Sequence, residues 1–338
     1  MIKPDPQIRR ICLEDPRFGE ARDALLAFKS RLDAPLSPTF WEGLKQQKIS
    51  ALASRDQAAA KACWCLEEVG RAQERFVLGF AAAKRDDFYT FWCDLERVET
   101  ALHFLEPHYA TSLPDFGLRH LSLHLPRFQE LFPYRLFFSP GMIVKRFICS
   151  ICGQPMKLRG GCGHIVGDIY NGEICGQVLK DIQLLEVSIV DKPVQKYSVL
   201  FGPDIAYDYG PVRYVVQGLR SPWHEWQCEI SEIVEAPERF PGTSPDAGCP
   251  CESGQHYEAC CKRKPRVRRH YEVLFGVYPP AELAAGTTNW SFIVKGSPVA
   301  KPQDTTGDAA EPAAAGDGQE QAAPERHGRK PSLSMDRR

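Results

Sequence analysis

The sequence lacks the features that mark membrane-spanning and secreted proteins. No uninterrupted apolar run in its 338 residues approaches the roughly 18 residues that a membrane helix needs. The first ten residues, MIKPDPQIRR, do not contain the apolar stretch of a secretory signal. We therefore expect a cytoplasmic protein that is not inserted in a membrane.

Net charge is also almost absent, because 42 basic side chains stand against 43 acidic ones and leave a formal charge of -1. A dedicated nucleic-acid-binding protein is usually basic over a whole domain, so this balance argues against that role for the chain as a whole. Hydrophobic residues make up 43% of the sequence, which is too many for a wholly disordered chain. The length predicts about two domains.

Several familiar catalytic motifs are missing. The sequence contains neither a Gly-x-x-x-x-Gly-Lys-Ser/Thr phosphate-binding loop nor a Gly-x-Ser-x-Gly nucleophile elbow. His224 and Glu225 do not begin a His-Glu-x-x-His metalloprotease motif, since residue 228 is Cys. The zinc-deaminase pattern fails as well, because Val166 stands where that chemistry requires Glu.

The patterning of apolar residues predicts an α+β fold. Apolar side chains recur at helical spacing between residues 38 and 133, where two long helices joined by a short turn are expected to form an antiparallel hairpin or bundle. After residue 140, β-branched and aromatic residues predict strands, with glycine-rich turns between them. We expect six segments: an N-terminal segment (1–36), a helical domain (37–136), a β-rich region with a Cys/His cluster (140–235), a zinc module (245–265), a strand-like extension (266–297) and a disordered tail (298–338).

Individual elements can be placed more closely. Ser54 followed by Gln57 has the form of a capping box for the first long helix, and Asp86 or Asp87 can cap the second. Residues 203–235 fit a strand and a helix equally well. The expected strands of the β-rich region are Met142–Ile148, Leu184–Val190 and Val194–Phe201.

Cysteine is sparse for a disulfide-stabilised secreted domain, and the count of 13 is odd. Three of these residues, Cys63, Cys65 and Cys93, lie in the predicted helices and are expected to be small buried hydrophobes. Eight others fall in two tight clusters. Such clusters in an intracellular protein point to metal binding.

The downstream cluster, CPCESGQHYEACCK, places four cysteines within thirteen residues. So short a stretch cannot bury a useful core, and modules of this size usually fold around a metal or disulfides. Four soft sulfur ligands brought together by a turn suit tetrahedral zinc. Disulfide bonding is the alternative, although a bridge between adjacent cysteines would be strained. The expected ligands are Cys249, Cys251, Cys260 and Cys261.

This stretch resembles the SEC-C motif, a small zinc-binding module, over residues 247–264. The resemblance rests on Cys-Pro-Cys, on Ser253–Gly254, on Tyr257 and on the adjacent pair Cys260–Cys261. It implies that the four cysteines bind zinc and that Tyr257 packs against the zinc knuckle. Because the module occurs as an accessory in many proteins, the resemblance implies a metal and leaves the pathway open.

The sequence departs from the family pattern at three positions of the module. The family more often has Gly in place of Glu252 and Lys in place of Gln255 and His256. These differences remove positive charge from the face of the module. We therefore do not expect this chain to bind the partners of other SEC-C proteins.

Six of the eight residues that follow the module are basic. Four thiolates around Zn²⁺ carry a charge of -2, which these side chains can screen. The same cluster can also bind an acidic protein surface or nucleic acid, while a merely solvated face is the alternative. The residues are Lys262, Arg263, Lys264, Arg266, Arg268 and Arg269.

The upstream cluster offers five candidate ligands for the four positions of a tetrahedral zinc ion. A Cys-x-x-Cys turn supplies two sulfur atoms, and a glycine-rich run can form the opposing knuckle. The preferred set is Cys149, Cys152, His164 and Cys175, with Cys162 as the next candidate. Reduced structural thiols and a redox Cys-x-x-Cys are the alternatives.

These patterns predict a non-enzymatic interaction or adaptor protein with two structural zinc ions per chain, which docks a protein or nucleic-acid partner. The alternative is a zinc-dependent hydrolase that uses the cluster between Cys149 and Cys175. Such an enzyme needs an open metal position and a carboxylate base. Asp168 and Glu173 are the nearby carboxylates, and Glu173 would move the protons.

Overall fold

The computed structural model describes residues 4–157, 161–202, 205, 207–235, 240, 242–250, 254–263, 266–276 and 291–296. Within these residues the fold is a mixture of helices and small sheets, as the α+β prediction required. A search of the helices among them finds none that combines the length and the apolar character of a membrane span. The expected disordered tail, 298–338, lies outside the described residues.

The helices form the body of the protein. A long central helix, α4, contacts most of the others, and 19 of its 28 residues are buried. Small side chains on α4 allow close packing: a Cβ atom at Gly79 would lie 2.9 Å from the Cβ atom of Asp94. The helices are α1 (Pro6–Glu14), α2 (Gly19–Phe28), α3 (Pro38–Ala53), α4 (Gln57–Lys84), α5 (Phe88–Leu105), α6 (Leu118–Glu130) and α7 (Gly210–Gly218).

Helices α4 and α5 form the predicted antiparallel hairpin. The turn is three residues long, and the ring centroids of Phe80 and Phe91 lie 6.4 Å apart on either side of it. Asp87 caps α5 by accepting a hydrogen bond from the backbone N–H of Thr90 at 3.1 Å, as predicted. Cys63 and Cys65 of α4 are fully buried, which confirms their role as core residues, and Cys93 of α5 is half-buried.

The predicted capping box at the start of α4 is wrong. Ser54 instead follows the last turn of α3, where its hydroxyl donates to the Ser50 carbonyl at 2.9 Å. Arg55 then adopts a positive φ of 57°, which ends α3 and delays the start of α4. Asp56 is the cap, and its carboxylate accepts from the backbone N–H of Ala59 at 2.9 Å.

Seven strands form three small sheets among the described residues. Strands β1 and β4 make a long antiparallel ribbon that contains two of the three predicted strands, while β2 and β3 make a short hairpin inside the ribbon connection. The third sheet has the order β5-β6-β7, in which β5 and β6 are antiparallel and β6 and β7 are parallel. The strands are β1 (Phe137–Cys149), β2 (Ile169–Tyr170), β3 (Glu173–Ile174), β4 (Gln177–Val190), β5 (Trp226–Glu235), β6 (Arg266–Phe275) and β7 (Ser291–Gly296).

The expected strand Val194–Phe201 is not formed. Side chains of α5 bind the middle of this segment: the N–H groups of Lys196 and Tyr197 donate to the Glu96 carboxylate, and the indole N–H of Trp92 donates to the Lys196 carbonyl. Ser198 and Leu200 still hydrogen-bond to the backbone of Phe138 and Leu136. Only one bridge to a strand remains, between Val199 and Phe137. β-Propensity alone did not reveal that a helix would take over these hydrogen bonds.

Replacing the cap of α4 tests the corrected start of this helix. We expect Asp56→Ala to lower the free energy of unfolding by about 1 kcal/mol, because the Ala59 N–H loses its acceptor. Ser54→Ala is the matched control and should change it by less than about 0.5 kcal/mol, since Ser54 is exposed. Urea denaturation measures both values. A larger loss in Ser54→Ala than in Asp56→Ala would contradict the assignment.

Candidate metal centres

All five predicted ligands of the upstream cluster come together at one end of the β1–β4 ribbon. Cys149 is the last residue of β1, and Cys175 lies two residues before the start of β4, so the pairing of these strands brings their sulfur atoms to 3.8 Å. The Sγ atom of Cys149 also lies 3.7 Å from Nδ1 of His164. The ligand atoms of Cys149, Cys152, Cys162 and His164 all lie within 4.8 Å of one another.

These separations fit a tetrahedral zinc ion. With Zn–S distances of about 2.3 Å, two sulfur ligands of one tetrahedron are about 3.8 Å apart, and a sulfur and a nitrogen ligand are about 3.6 Å apart. The distances from Cys149 to Cys175 and to His164 match both values. The cluster can therefore hold a metal ion such as zinc.

The backbone around Cys149 favours a thiolate. Although burial by itself raises the pKa of the Cys149 thiol, hydrogen bonds from the backbone N–H groups of Cys152 and Ile151 bring this pKa down to about 6. Burial and the neighbouring Cys149 raise the pKa of Cys175 to about 11. Gly153, with φ of +70°, closes the turn and donates its N–H to the Cys149 carbonyl at 2.9 Å. Cys149 is thus prepared to be a metal ligand at neutral pH.

The loop that carries the cluster is fixed to the helical body. Gln57 and Asn171 exchange two hydrogen bonds, with the Gln57 amide donating at 2.7 Å and the Asn171 N–H donating at 3.0 Å. The ring of His108, which is completely buried, donates from Nε2 to the Gly167 carbonyl at 2.7 Å. Gly172 lies against α4, where an added Cβ atom would approach the Ala60 carbonyl oxygen to 3.0 Å.

Two ion pairs complete this attachment. Nζ of Lys61 lies 3.2 Å from Asp168, and Nζ of Lys48 lies 3.1 Å from Glu173. The two carboxylates considered as catalytic bases are therefore engaged with α4 and α3. Sequence reasoning missed the residues that hold the loop, Lys48, Gln57, Lys61 and His108, because they are 59 or more positions away from their partners and share no local motif with them.

The downstream cluster is also assembled, as far as it is described. Cys249, Cys260 and Cys261 are buried and their sulfur atoms lie within 4.8 Å of one another. The sulfur atoms of Cys260 and Cys261 are 4.0 Å apart, far beyond the ~2.05 Å of a disulfide bond. The fourth expected ligand, Cys251, lies outside the described residues.

Tyr257 organises this second cluster. Its side chain is buried with the three cysteines in a small core that is separate from the main one, and Phe240 packs on it at 6.1 Å between ring centroids. Its hydroxyl accepts from the backbone N–H of Phe240 at 3.1 Å, and its own N–H donates to the Ala247 carbonyl at 2.8 Å. This core is too small to stabilise the module alone.

The described basic residues after the module lie on the last turn of the module and on β6. Lys262 makes a long ion pair with Glu258, at 4.0 Å. In the register of the sheet, Arg269 lies opposite Glu232, and Arg266 opposite Glu235. Lys264 lies outside the described residues, as do the side chains of Arg263, Arg266 and Arg268.

A third group of ligand-type side chains, which the sequence did not indicate, joins α6 to the start of β5. Nδ1 of His120 lies 3.1 Å from one oxygen of Glu225, and Nε2 of His124 lies 3.4 Å from the other. The two imidazole rings are stacked, with centroids 3.9 Å apart and planes 18° from parallel. A metal ion lies in the plane of each imidazole that binds it, and two stacked rings cannot both satisfy that condition. These three side chains therefore form a polar contact between α6 and the residue before β5.

Enlarging Gly172 tests the attachment of the loop to α4. Gly172→Ala should destabilise the protein by about 2 kcal/mol or more, because the residue has φ of +71° and its new Cβ meets the Ala60 carbonyl. Gly167→Ala is the matched control: φ is +85°, yet the Cβ meets nothing within 4 Å, so we expect about 1 kcal/mol. Thermal and urea unfolding compare them. Equal losses would show that Gly172 does not touch α4 in solution.

Comparison with known proteins finds no relative of this chain. No family model, curated protein or solved structure matches the chain. The SEC-C resemblance therefore rests on the residues of the module themselves. Conclusions about function depend on the geometry of the two cysteine clusters.

Proposed function

We propose that this chain is a non-catalytic zinc-binding interaction protein, an adaptor in which two structural zinc ions hold loops in place for a partner. The observation that carries the proposal is the convergence of Cys149, Cys152, Cys162 and His164 from separate turns onto one point. Separate loops place that many thiol and imidazole groups together rarely except to bind a metal. A filled tetrahedral shell is typical of structural zinc.

At the upstream centre, the zinc ligands in this proposal are Cys149, Cys152, Cys162 and His164. This set has Cys162 in place of the Cys175 preferred from the sequence. Cys175 lies 3.8 Å from Cys149, a separation that two ligands of one zinc ion also have, but it is not part of the mutually close group of four, so we assign it as a neighbouring thiol. His164 is held in place by Tyr170, whose ring packs edge-on at 4.6 Å and whose hydroxyl accepts from the backbone N–H of Ile165. The zinc ion would cross-link the end of β1 to the glycine-rich loop.

At the downstream centre, the proposed ligands are Cys249, Cys251, Cys260 and Cys261, as in the SEC-C motif. Binding of structural zinc is worth ~10–16 kcal/mol in comparable peptides, which is ample for a module whose core is so small. Tyr257 is buried together with Cys249, Cys260 and Cys261, and the resemblance implies that it packs against the knuckle. This agreement supports the assignment of the module.

A structural role is preferred over hydrolysis because both carboxylates near the upstream cluster, Glu173 and Asp168, are engaged in ion pairs. The hydrolase alternative requires Glu173 to move protons at the upstream metal. Its carboxylate is instead directed to Lys48, and Lys48 also binds Glu67 at 2.9 Å. Asp168 is similarly paired with Lys61.

The proposed partner is an acidic protein surface that meets the basic residues following the downstream module, Lys262 to Arg269. A protein partner is preferred to nucleic acid because the chain as a whole has a formal charge of only -1. We place the protein in the cytoplasm, where its many thiols stay reduced.

Metal analysis of the reduced, full-length chain tests the proposal. We expect close to two zinc ions per chain, one lost in Cys149→Ser and the other in Cys260→Ser. Cys93→Ser, which changes a half-buried cysteine outside both clusters, is the control and should keep both ions. A folded protein that contains no zinc and is indifferent to chelators would refute the proposal.

Two further variants decide the ligand set of the upstream centre. We expect Cys162→Ser to release the upstream zinc and Cys175→Ser to retain it, because only Cys162 belongs to the mutually close group. Zinc content and the absorption of the cobalt-substituted protein report the outcome. Retention of metal in Cys162→Ser together with its loss in Cys175→Ser would reverse the assignment.

A further inference from the structure

The β1–β4 ribbon carries an apolar surface that the other described residues leave exposed. Among the described residues, β1 and β4 form a sheet only with each other, and β1 has further isolated bridges near its two ends, from Phe137 to Val199 and from Ile148 to Pro155. Alternate residues of β1 and their cross-strand partners on β4 share one face. We name this face the apolar stripe; its members are Phe138, Pro140, Met142 and Val144 of β1 and Ile189, Val187, Leu184 and Ile182 of β4.

The opposite face of the ribbon has a different character. Its cross-strand pairs are Ser139 with Ser188, Gly141 with Glu186, and Ile143 with Gln183, so it is largely polar. At the base of the ribbon this face meets the helical body: Phe137 is buried, and its ring lies 6.3 Å from that of Trp92. Since neighbouring residues of a strand point to opposite faces, the apolar stripe is turned away from the helices.

The stripe is large for a surface that meets only water. Six of its eight side chains expose between 40% and 60% of their area. At on the order of 100 Å² per side chain, they present roughly 600 Å² of apolar surface, at the upper end of what a monomer shows. A two-stranded ribbon is also marginally stable in water unless a further layer covers its apolar face.

We propose that a second copy of this chain covers the stripe, so that two ribbons pack face to face in a symmetric dimer. The stripe itself contains no charged residue, and the next cross-strand pair along this face, Arg146 with Lys180, lies beyond its end. In a two-fold dimer the same surface of both chains forms the interface. The two antiparallel strands give the stripe the same appearance from either end, so two copies of it can pack together around such an axis. Its area approaches the ~800 Å² that each partner contributes to a standard interface.

The C-terminal stretch of the sequence has few apolar side chains with which to cover the stripe. Residues 298–338 consist mainly of small, polar and charged residues, with few large apolar side chains to set against eight on the stripe. The bulge at Leu185, which faces no partner residue on β1, adds local twist to the ribbon. Twisted ribbons pack face to face in the way that sheets of a sandwich do.

Sedimentation equilibrium of the full-length, zinc-loaded protein tests the dimer. The wild-type chain should have twice the mass of one chain at about 50 µM. Leu184→Lys places a charge in the stripe and should raise the dimer dissociation constant by at least about 100-fold. The matched control is Gln183→Lys, which adds the same charge at the adjacent position on the polar face and should leave the dimer intact.

Because Leu184 is 60% exposed, its replacement is not expected to disturb folding, which circular dichroism and zinc content verify. Val187→Lys, at another position of the stripe, is the second variant should Leu184→Lys fail to fold. A monomeric wild-type chain at this concentration would overturn the proposal, even if another protein bound the stripe. Equal dissociation by Leu184→Lys and Gln183→Lys would overturn it as well.

Discussion

The burial of one long helix is the constraint around which the described part of the chain is arranged. Helix α4 has 28 residues and is therefore about 42 Å long. Helices α1, α2, α3, α5, α6 and α7 all contact it, and the loop of the upstream cysteine cluster lies against its first turns. The position of that centre is thus defined by the same helix that organises the core.

The two cysteine clusters are held in different ways. The upstream cluster is fixed from outside, by hydrogen bonds to Gln57 and His108 and by ion pairs to Lys48 and Lys61. The downstream cluster has its own small core around Tyr257. In the proposed function, zinc adds to an existing attachment at the first centre, whereas at the second it is the main source of stability.

The sequence was sufficient to predict those parts of the structure that depend on the spacing of neighbouring residues. Apolar periodicity and a cap at Asp86 or Asp87 predicted the α4–α5 hairpin, in which Asp87 is the cap, and the clustering of cysteines predicted both groups of candidate ligands. It was insufficient where distant residues compete for the same backbone. The positive φ of Arg55 moved the cap of α4, and Glu96 took the hydrogen bonds of the expected strand at 194–201. The contact of His120 and His124 with Glu225 joins positions about a hundred residues apart, which no local pattern records.

The downstream cysteine module sits between β5 and β6, which are paired along ten residues. The sheet holds both ends of the module close together, so the module behaves as an insertion in a hairpin connection. Doubling the length of such a connection costs only about 0.6 kcal/mol of closure entropy. The sheet can therefore tolerate exchange of the insertion for a short turn, so the module and the sheet that carries it can be separated without loss of the strand pairing.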